Sequence, residues 1–410
     1  MQDSTDIAIV GAGPSGAVAA ALLRQRGYRV TVLERSQFPR FSIGESLLPQ
    51  CMAFIEEAGM LEAVKAEQFQ NKNGAMFARN GTTTGFDFRE KFSEGPGTTF
   101  QVPRARFDQV LAESAAKAGA DVRFGHKISD VTIDADQHCH LTVDVEDGSN
   151  YSLDGKFLLD ASGYGRVLPR LLGLDRPSDF PSRRSVFTHI EDRISEPTHD
   201  REKILIVIHP QQRDVWYWLI PFSNGRCSLG VVAREDFFDC EKYTAEELLR
   251  DAVAASPDLN ALLSDAVYDT DARSIVGYSS NVTSLWGPGF ALLGNAGEFL
   301  DPVFSSGVTI AMKSASLAAP LIDKQLQGMP VDWENEFSQP LKVGVNTFRA
   351  YVEGWYDGSF QDVIFAEKQN ESVPRMICSI LAGYAWDTEN PFVAQPKRKL
   401  SVLAKLCRAG

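Results

Sequence analysis

The pattern of apolar and polar positions at the start of the chain sets the fold. A short apolar stretch from Asp6 to Val10 breaks into Gly11-Ala12-Gly13-Pro14-Ser15-Gly16, then into the Ala/Leu-rich run Ala17 to Arg26. An apolar run, a glycine-rich break and a helical period predict strand, tight turn and helix. After Gly27, the β-branched alternation from Arg29 to Arg35 predicts a second strand. The opening is therefore a β-α-β unit with a parallel strand pair, the start of a doubly wound sheet. Arg106 to Ala118 has helical spacing and Asp121 to Phe124 reads as a strand. Val131 to Val145 with Tyr151 to Leu159 read as a meander, closed by a strand ending at Asp160-Ala161-Ser162-Gly163.

From Ser185 to Val232 the pattern changes to strand after strand, with runs at Lys203 to Ile208, Val215 to Ile220 and Cys227 to Val232 and turns at His209-Pro210 and Asn224-Gly225. A mostly antiparallel sheet follows. A further buried strand at Phe290 to Gly294, a Gly/Pro/Ser-rich turn and a helix from about Gly307 to Gln325 return the chain to its first domain. Residues Trp333 to Leu406 read as helices bearing Phe337, Phe348, Tyr351, Trp355, Tyr356, Phe360 and Phe365. The expected fold class is α/β. A Rossmann-like nucleotide-binding domain (1–70, 100–180 and 275–330) carries an inserted, mostly antiparallel β-sheet substrate domain (71–99 and 181–274), and a helical C-terminal region (331–410) follows.

Composition narrows the partners. The 410 residues are 44% hydrophobic and 23% charged, enough for a large core. Lys+Arg 41 against Asp+Glu 54 gives −13, a charge that repels nucleic acid. No window approaches the ~20 apolar residues of a membrane span, and the N-terminus carries no secretory pattern. The six cysteines form no Cys-x-x-Cys pair, which points to reduced thiols in a cytoplasmic protein. His138-Cys139-His140 could suggest a metal, but neighbouring strand residues face opposite ways and no second ligand pair is near, so no metal site is expected.

Chemistry concentrates in the glycine turn. In Gly11-x-Gly13-x-x-Gly16, one glycine permits the tight turn, one lets a pyrophosphate approach the backbone and one lets helix and strand pack closely. With Ser15 inside the motif, the diphosphate would sit on the positive helix end. Glu34 stands eighteen residues after Gly16 at the end of the next strand, where a carboxylate can take the ribose hydroxyls, and Arg35 follows it. FAD and NAD both suit such a site. Two other segments bear on that choice: the small, polar loop Phe38 to Pro49 could lie along an extended cofactor, and Gly294 to Gly307 leads into a helix whose first N–H groups are free.

These motifs together resemble the flavin-dependent halogenases and their FAD-dependent monooxygenase relatives, within the para-hydroxybenzoate-hydroxylase-like flavoproteins. The likeness reaches to about residue 330 and rests on Gly11 to Gly16, Gly44-Glu45-Ser46, Val102-Pro103-Arg104 with Phe107-Asp108, Asp160 to Gly163, and Asp301-Pro302-Val303-Phe304-Ser305-Ser306-Gly307. It implies FAD as cofactor, Arg104 helping to hold it, and Asp301, Pro302, Ser305, Ser306 and Gly307 lying against the flavin ring. Asn295 stands where the family has an aspartate, which alters one bond to the cofactor.

Two further matches point to the halogenase branch. Trp216-Tyr217-Trp218-Leu219-Ile220-Pro221 fits the family's Trp-x-Trp-x-Ile-Pro signature, and Lys72 occupies the place of its catalytic lysine. The resemblance implies that hypohalous acid made at the flavin is steered to an arene, where an ammonium hydrogen-bonds it or forms a haloamine. Burial would lower such a lysine's pKa. Taken alone, Lys72 between Asn71 and Asn73 also reads as a solvated loop lysine. Trp216 and Trp218 share one strand face, as core packing or as a wall between substrate and flavin. Phe304 precedes the serines where some relatives have glutamate, and is assigned to the substrate side. The implied substrate is an electron-rich aromatic, phenol- or pyrrole-like, free or tethered to a carrier protein or peptide. No second nucleotide fingerprint is present, so a separate flavin reductase is the expected partner. The alternative is hydroxylation of an aromatic, including pigment precursors or a tryptophan of a partner polypeptide in quinone cofactor biogenesis.

Overall fold

The computed structural model describes residues 3–195, 199–366 and 372–409. β1 (Asp3–Val10), α1 (Pro14–Gln25) and β2 (Val30–Glu34) form the expected unit. β1 lies parallel to β2 on one side and to the strand Asn150–Asp160 on the other. β1 begins before the apolar stretch because Asp3 to Thr5 already pair with Leu153 to Gly155. The helix likewise starts inside the glycine motif, at Pro14, whose fixed φ and missing N–H suit a first helical position. Ile7 to Val10 are all buried, as a central parallel strand covered on both faces must be.

Two large sheets organise the described residues. One has eight strands, with Phe290–Leu292, Asn150–Asp160, β1, β2 and Asp121–Phe124 in parallel order. The expected meander begins as a hairpin of His126–Ile133 and Cys139–Val145, broken where Gln137 takes a left-handed φ of 67°. The second sheet has seven strands and is antiparallel except where Lys203–Ile208 runs parallel to Gly74–Arg79. Residues 74–87 thus join the later strands across more than a hundred residues of sequence.

The helix Ser306–Leu326 packs on α1, and the C-terminal helices Gln339–Tyr356, Ser359–Ile364 and Ser372–Leu381 close one continuous core over the space between the sheets. Among the described residues no helix is long and apolar enough to cross a membrane, and no His/Cys/Asp/Glu cluster could hold a metal.

Candidate flavin site

A cavity of about 360 Å³ opens at the C-terminal ends of the parallel strands, where open α/β sheets bind ligands. Its lining includes Gly11, Gly13, Ser15, Glu34, Arg35, Gly44, Glu45, Ser46 and Arg104. Trp216, Trp218, Asn295, Pro302, Ser305 and Gly307 complete the set of sequence-selected residues that it brings together. Gly16, Asp301, Ser306, Phe304 and Lys72 stand behind this surface rather than on it.

The three glycines have separate geometry. Gly11 turns with φ +94°, and a Cβ there would lie 2.6 Å from the Ala161 carbonyl oxygen. A Cβ on Gly16 would run into the Gly11 carbonyl, so this glycine serves helix packing. Gly13 is different: its Cβ would meet only the Arg40 guanidinium, at 3.5 Å, and it faces the cavity. Glu34 is braced there, accepting from the Ala12 N–H and the Ser36 N–H at 3.0 Å each. Asp160, wholly buried, accepts from the N–H groups of Ser162 and Leu168 at 2.8 and 2.7 Å and so fixes the opposite rim.

Arg104 is committed mostly to protein groups. It forms a two-point ion pair with Asp108 at 2.8 and 3.0 Å and donates to the Ile43 carbonyl at 2.7 Å. Its contribution is to hold the Gly44 loop in place against the cavity. Sequence reasoning missed Arg40, which bonds Asp108 at 3.1 Å, lies 3.7 Å from Glu34 and lines the cavity beside Gly13. That arginine lies in the polar loop already singled out, next to Pro39, and only the fold shows which way it points.

The residues present fit FAD. Glu45 Oε2 and Ser46 Oγ are buried without hydrogen-bond partners in the loop that lines the cavity. Buried polar atoms are normally paired, so these two await a polar ligand. Glu45's other oxygen takes His189 Nε2 at 2.7 Å, tying the loop to the second sheet. Ser305, Gly307, Val308 and Ala311 bring the N-terminus of the long helix Ser306–Leu326 to the same cavity, with its free N–H groups and positive end.

Trp216 and Trp218 share one strand face, as alternation requires, with ring centroids 6.0 Å apart. Trp218 donates to Ser228 Oγ at 3.0 Å. Trp216 donates to the Tyr356 hydroxyl at 3.0 Å, and that hydroxyl donates to Asp301 Oδ2 at 2.8 Å. Tyr356 thus links the C-terminal helices to the tryptophan pair and to the Asp301 motif. Phe304 does not line the flavin cavity. The short helical turn Pro302–Phe304 sends its ring edge-on into Trp355 and Phe360, in the helical core.

Burial pushes the Asp301 carboxyl up to about 6, although Tyr356 and the Val303 N–H partly offset this. Its folded value then exceeds its unfolded value, so its stabilising contribution is complete below about pH 4 and is lost as pH rises to about 6. Asp301→Asn should therefore remove a fall in stability of about 3 kcal/mol across that window. Chemical denaturation of the cofactor-free protein at pH 4 and pH 6.5 measures it.

Lys72 ends the short strand Gln70–Lys72, which pairs with Thr99–Gln101. It is 1% exposed, so the solvated-loop reading is excluded. Its Nζ donates to the Leu47 carbonyl at 2.8 Å and lies 5.3 Å from the Phe88 ring centroid. Burial lowers its pKa from the usual range to about 7, with Cys51 opposing. Leu47 follows Ser46 directly, so Lys72 sits on the far side of the cavity loop. Cys51, bonded to Thr309 on the long helix at 3.1 Å, is its neighbour.

Fold and cavity together define a flavin-dinucleotide-binding protein. Residues 4–332 match the family model described as the FAD binding domain, and the chain belongs to that family, with FAD as its cofactor. A crystal structure of a flavoprotein/dehydrogenase from Cytophaga hutchinsonii superposes with a TM-score of 0.96 at 43% identity, covering 100% of both chains. The tryptophan 2-halogenase of Chondromyces crocatus is 32% identical over 333 residues, 80% of this chain but only 63% of that protein. The 1H-pyrrole-2-carbonyl-(peptidyl-carrier protein) chlorinase of Pseudomonas fluorescens is 28% identical over 374 residues, 86% of this chain and 82% of that one.

Proposed function

We propose that this protein uses reduced FAD and oxygen to halogenate an electron-rich aromatic, phenol- or pyrrole-like, free or carrier-tethered. The observation that carries this reading is Lys72, a buried lysine with no carboxylate bonded to it among the described residues, whose Nζ donates to the Leu47 carbonyl of the loop that lines the cavity. Bound FAD, once reduced by a separate flavin reductase, supplies the electrons that activate oxygen. The protein's part is positional. Gly13 and Arg40 receive the diphosphate, Glu34 the ribose, and the N–H groups of the long helix the ring edge. Trp216 and Trp218 wall the cavity, keeping an arene from the flavin. Lys72, neutral in part near pH 7, offers a nitrogen that can hydrogen-bond or accept halogen from hypohalous acid beside the Leu47 carbonyl.

One observation favours a second reading. One relative, 43% identical over the whole of both chains, is described as a flavoprotein/dehydrogenase rather than a halogenase, which keeps open as the alternative oxygen insertion into an aromatic, as in hydroxylation of pigment precursors or of a tryptophan in a partner polypeptide. Product mass spectrometry with reduced FAD, oxygen, bromide and a panel of phenols and pyrroles tests both. A bromine isotope doublet is expected; a gain of one oxygen without halogen overturns the halogenase reading.

A further inference from the structure

The flavin cavity is lined from both large sheets, and one side chain outside it joins the two linings. Trp216, in the strand Trp216–Pro221 of the seven-stranded sheet, lines the cavity, as do Pro302, Ser305 and Gly307 at the turn into the long helix Ser306–Leu326. Asp301 opens that turn and is 3% exposed. Tyr356, in the last turn of the helix Gln339–Tyr356, bonds to both sides. Trp216 Nε1 donates to its hydroxyl at 3.0 Å, and the hydroxyl donates to Asp301 Oδ2 at 2.8 Å.

Chemistry fixes the direction of these bonds. An indole N–H can only donate, so the tyrosine oxygen accepts there and its single proton is left for the carboxylate. Burial and the Asp301 charge hold the Tyr356 hydroxyl well above its ordinary pKa, so that proton stays in place. Arg183 completes the arrangement: its guanidinium lies over the Tyr356 ring, 3.4 Å from the centroid, and its charge acts on Asp301 as the counter-charge. Asp301 Oδ1 accepts from the Val303 N–H at 3.1 Å and caps the turn Pro302–Phe304. The next residue, Ser305, has φ 55° and ψ 24°, a left-handed conformation that a non-glycine residue keeps where its surroundings hold it. The Tyr356 bond therefore anchors the turn that delivers a strained residue to the cavity.

We infer that Tyr356 is a positioning residue for flavin binding, whose hydroxyl sets the Asp301 turn against Trp216 and so fixes two linings of the cavity relative to each other. Tyr356 does not itself line the cavity, so it acts through Asp301 and Trp216 rather than by touching the cofactor. The inference rests on FAD occupying this cavity and holds whichever reaction follows.

FAD titrations of full-length wild type, Tyr356→Phe and Asp301→Asn, followed by flavin fluorescence from pH 5 to pH 8, test it. Burial raises Asp301 to about 6, against the opposing pull of the Tyr356 bond, the Val303 N–H and the Arg183 charge. The ionised carboxylate is the stronger acceptor, so wild-type affinity should fall as pH drops through about 6. Without the Tyr356 hydroxyl Asp301 rises further, so the midpoint should move upward in Tyr356→Phe and affinity at pH 7 should fall about tenfold. Tyr278 and Tyr164, which also face Asp301, are kept protonated by burial in this range. Histidine changes charge in the same range, and any contribution from His126 at the cavity or from His189 on Glu45 should survive in Asp301→Asn, while the limb near pH 6 disappears. The double variant should bind FAD no more weakly than Asp301→Asn alone. A Tyr356→Phe loss equal at every pH, or one that adds in full to that of Asp301→Asn, marks a packing residue and overturns the inference. Should Tyr356→Phe fail to fold, Asp301→Asn decides: loss of the limb near pH 6 supports the inference and an unaltered profile overturns it. Absence of FAD binding by wild type overturns the flavin assignment as well, whereas binding unaltered by Tyr356→Phe overturns this inference alone.

Discussion

A Gly13→Val protein is expected to fold normally and to emerge from desalting without flavin colour. Gly13 has φ −70° and ψ −174°, an extended conformation that valine adopts without strain. Its Cβ would meet nothing closer than the Arg40 guanidinium at 3.5 Å. The new side chain would instead occupy the surface where a pyrophosphate must touch backbone. We expect FAD affinity to fall by about 100-fold or more, equivalent to roughly 3 kcal/mol, with the melting midpoint of the cofactor-free protein unchanged. The neighbouring glycine gives the contrast. In Gly16→Val the Cβ would collide with the Gly11 carbonyl, so that variant should lose stability as well as flavin. Flavin absorbance after gel filtration and an FAD titration followed by fluorescence separate the two effects. Full flavin retention by Gly13→Val would falsify the phosphate assignment at this turn.

The difference between those glycines shows what was legible in the sequence. The β-α-β opening is local, since its turn and parallel pair are written in consecutive residues, and Glu34 is fixed once β2 is placed. The contacts that finish the site are not local. His189 reaches Glu45 across 144 positions, and Tyr356 reaches Asp301 across 55. No periodicity encodes such pairings, because they depend on how the second sheet and the C-terminal helices dock. Phe304 illustrates the same limit: a short helical turn decides whether its ring faces the cavity or the helical core, and it chooses Trp355 and Phe360. Lys72 is the sharpest case. Flanked by two asparagines it has the look of a surface lysine, yet the helix Ser372–Leu381 covers the neighbouring segment, with Cys378 bonded to the Asp87 carbonyl and Ser379 accepting from Phe92 and Ser93.

If the protein halogenates as proposed, Lys72→Met should cost it its halogenated product while making the protein more stable. The first half follows from placement. Methionine keeps the bulk of the stem but offers no nitrogen to hypohalous acid, so product should fall by ~10²-fold or more, the loss expected of an essential acid–base group. FAD retention should be unaffected, since Lys72 does not line the flavin cavity. The second half follows from burial. A lysine depressed to about 7 carries an unfavourable charge below that pH in the folded state, and the deficit shrinks only as pH rises from about 7 towards 10, where the unfolded lysine also discharges. At neutral pH this amounts to on the order of 4 kcal/mol, offset by ~1–3 kcal/mol for leaving the Leu47 carbonyl without its donor. The variant should thus melt higher than wild type at pH 7, and the gap should close as pH approaches 10. Wild-type activity should in turn decline below pH 7, as the nitrogen becomes fully protonated. Near-normal product from Lys72→Met would move the chemistry to hydroxylation. An unchanged or lowered melting point would show instead that the ammonium is held for structure, because a lysine kept for packing has no reason to be more costly than the methionine that replaces it.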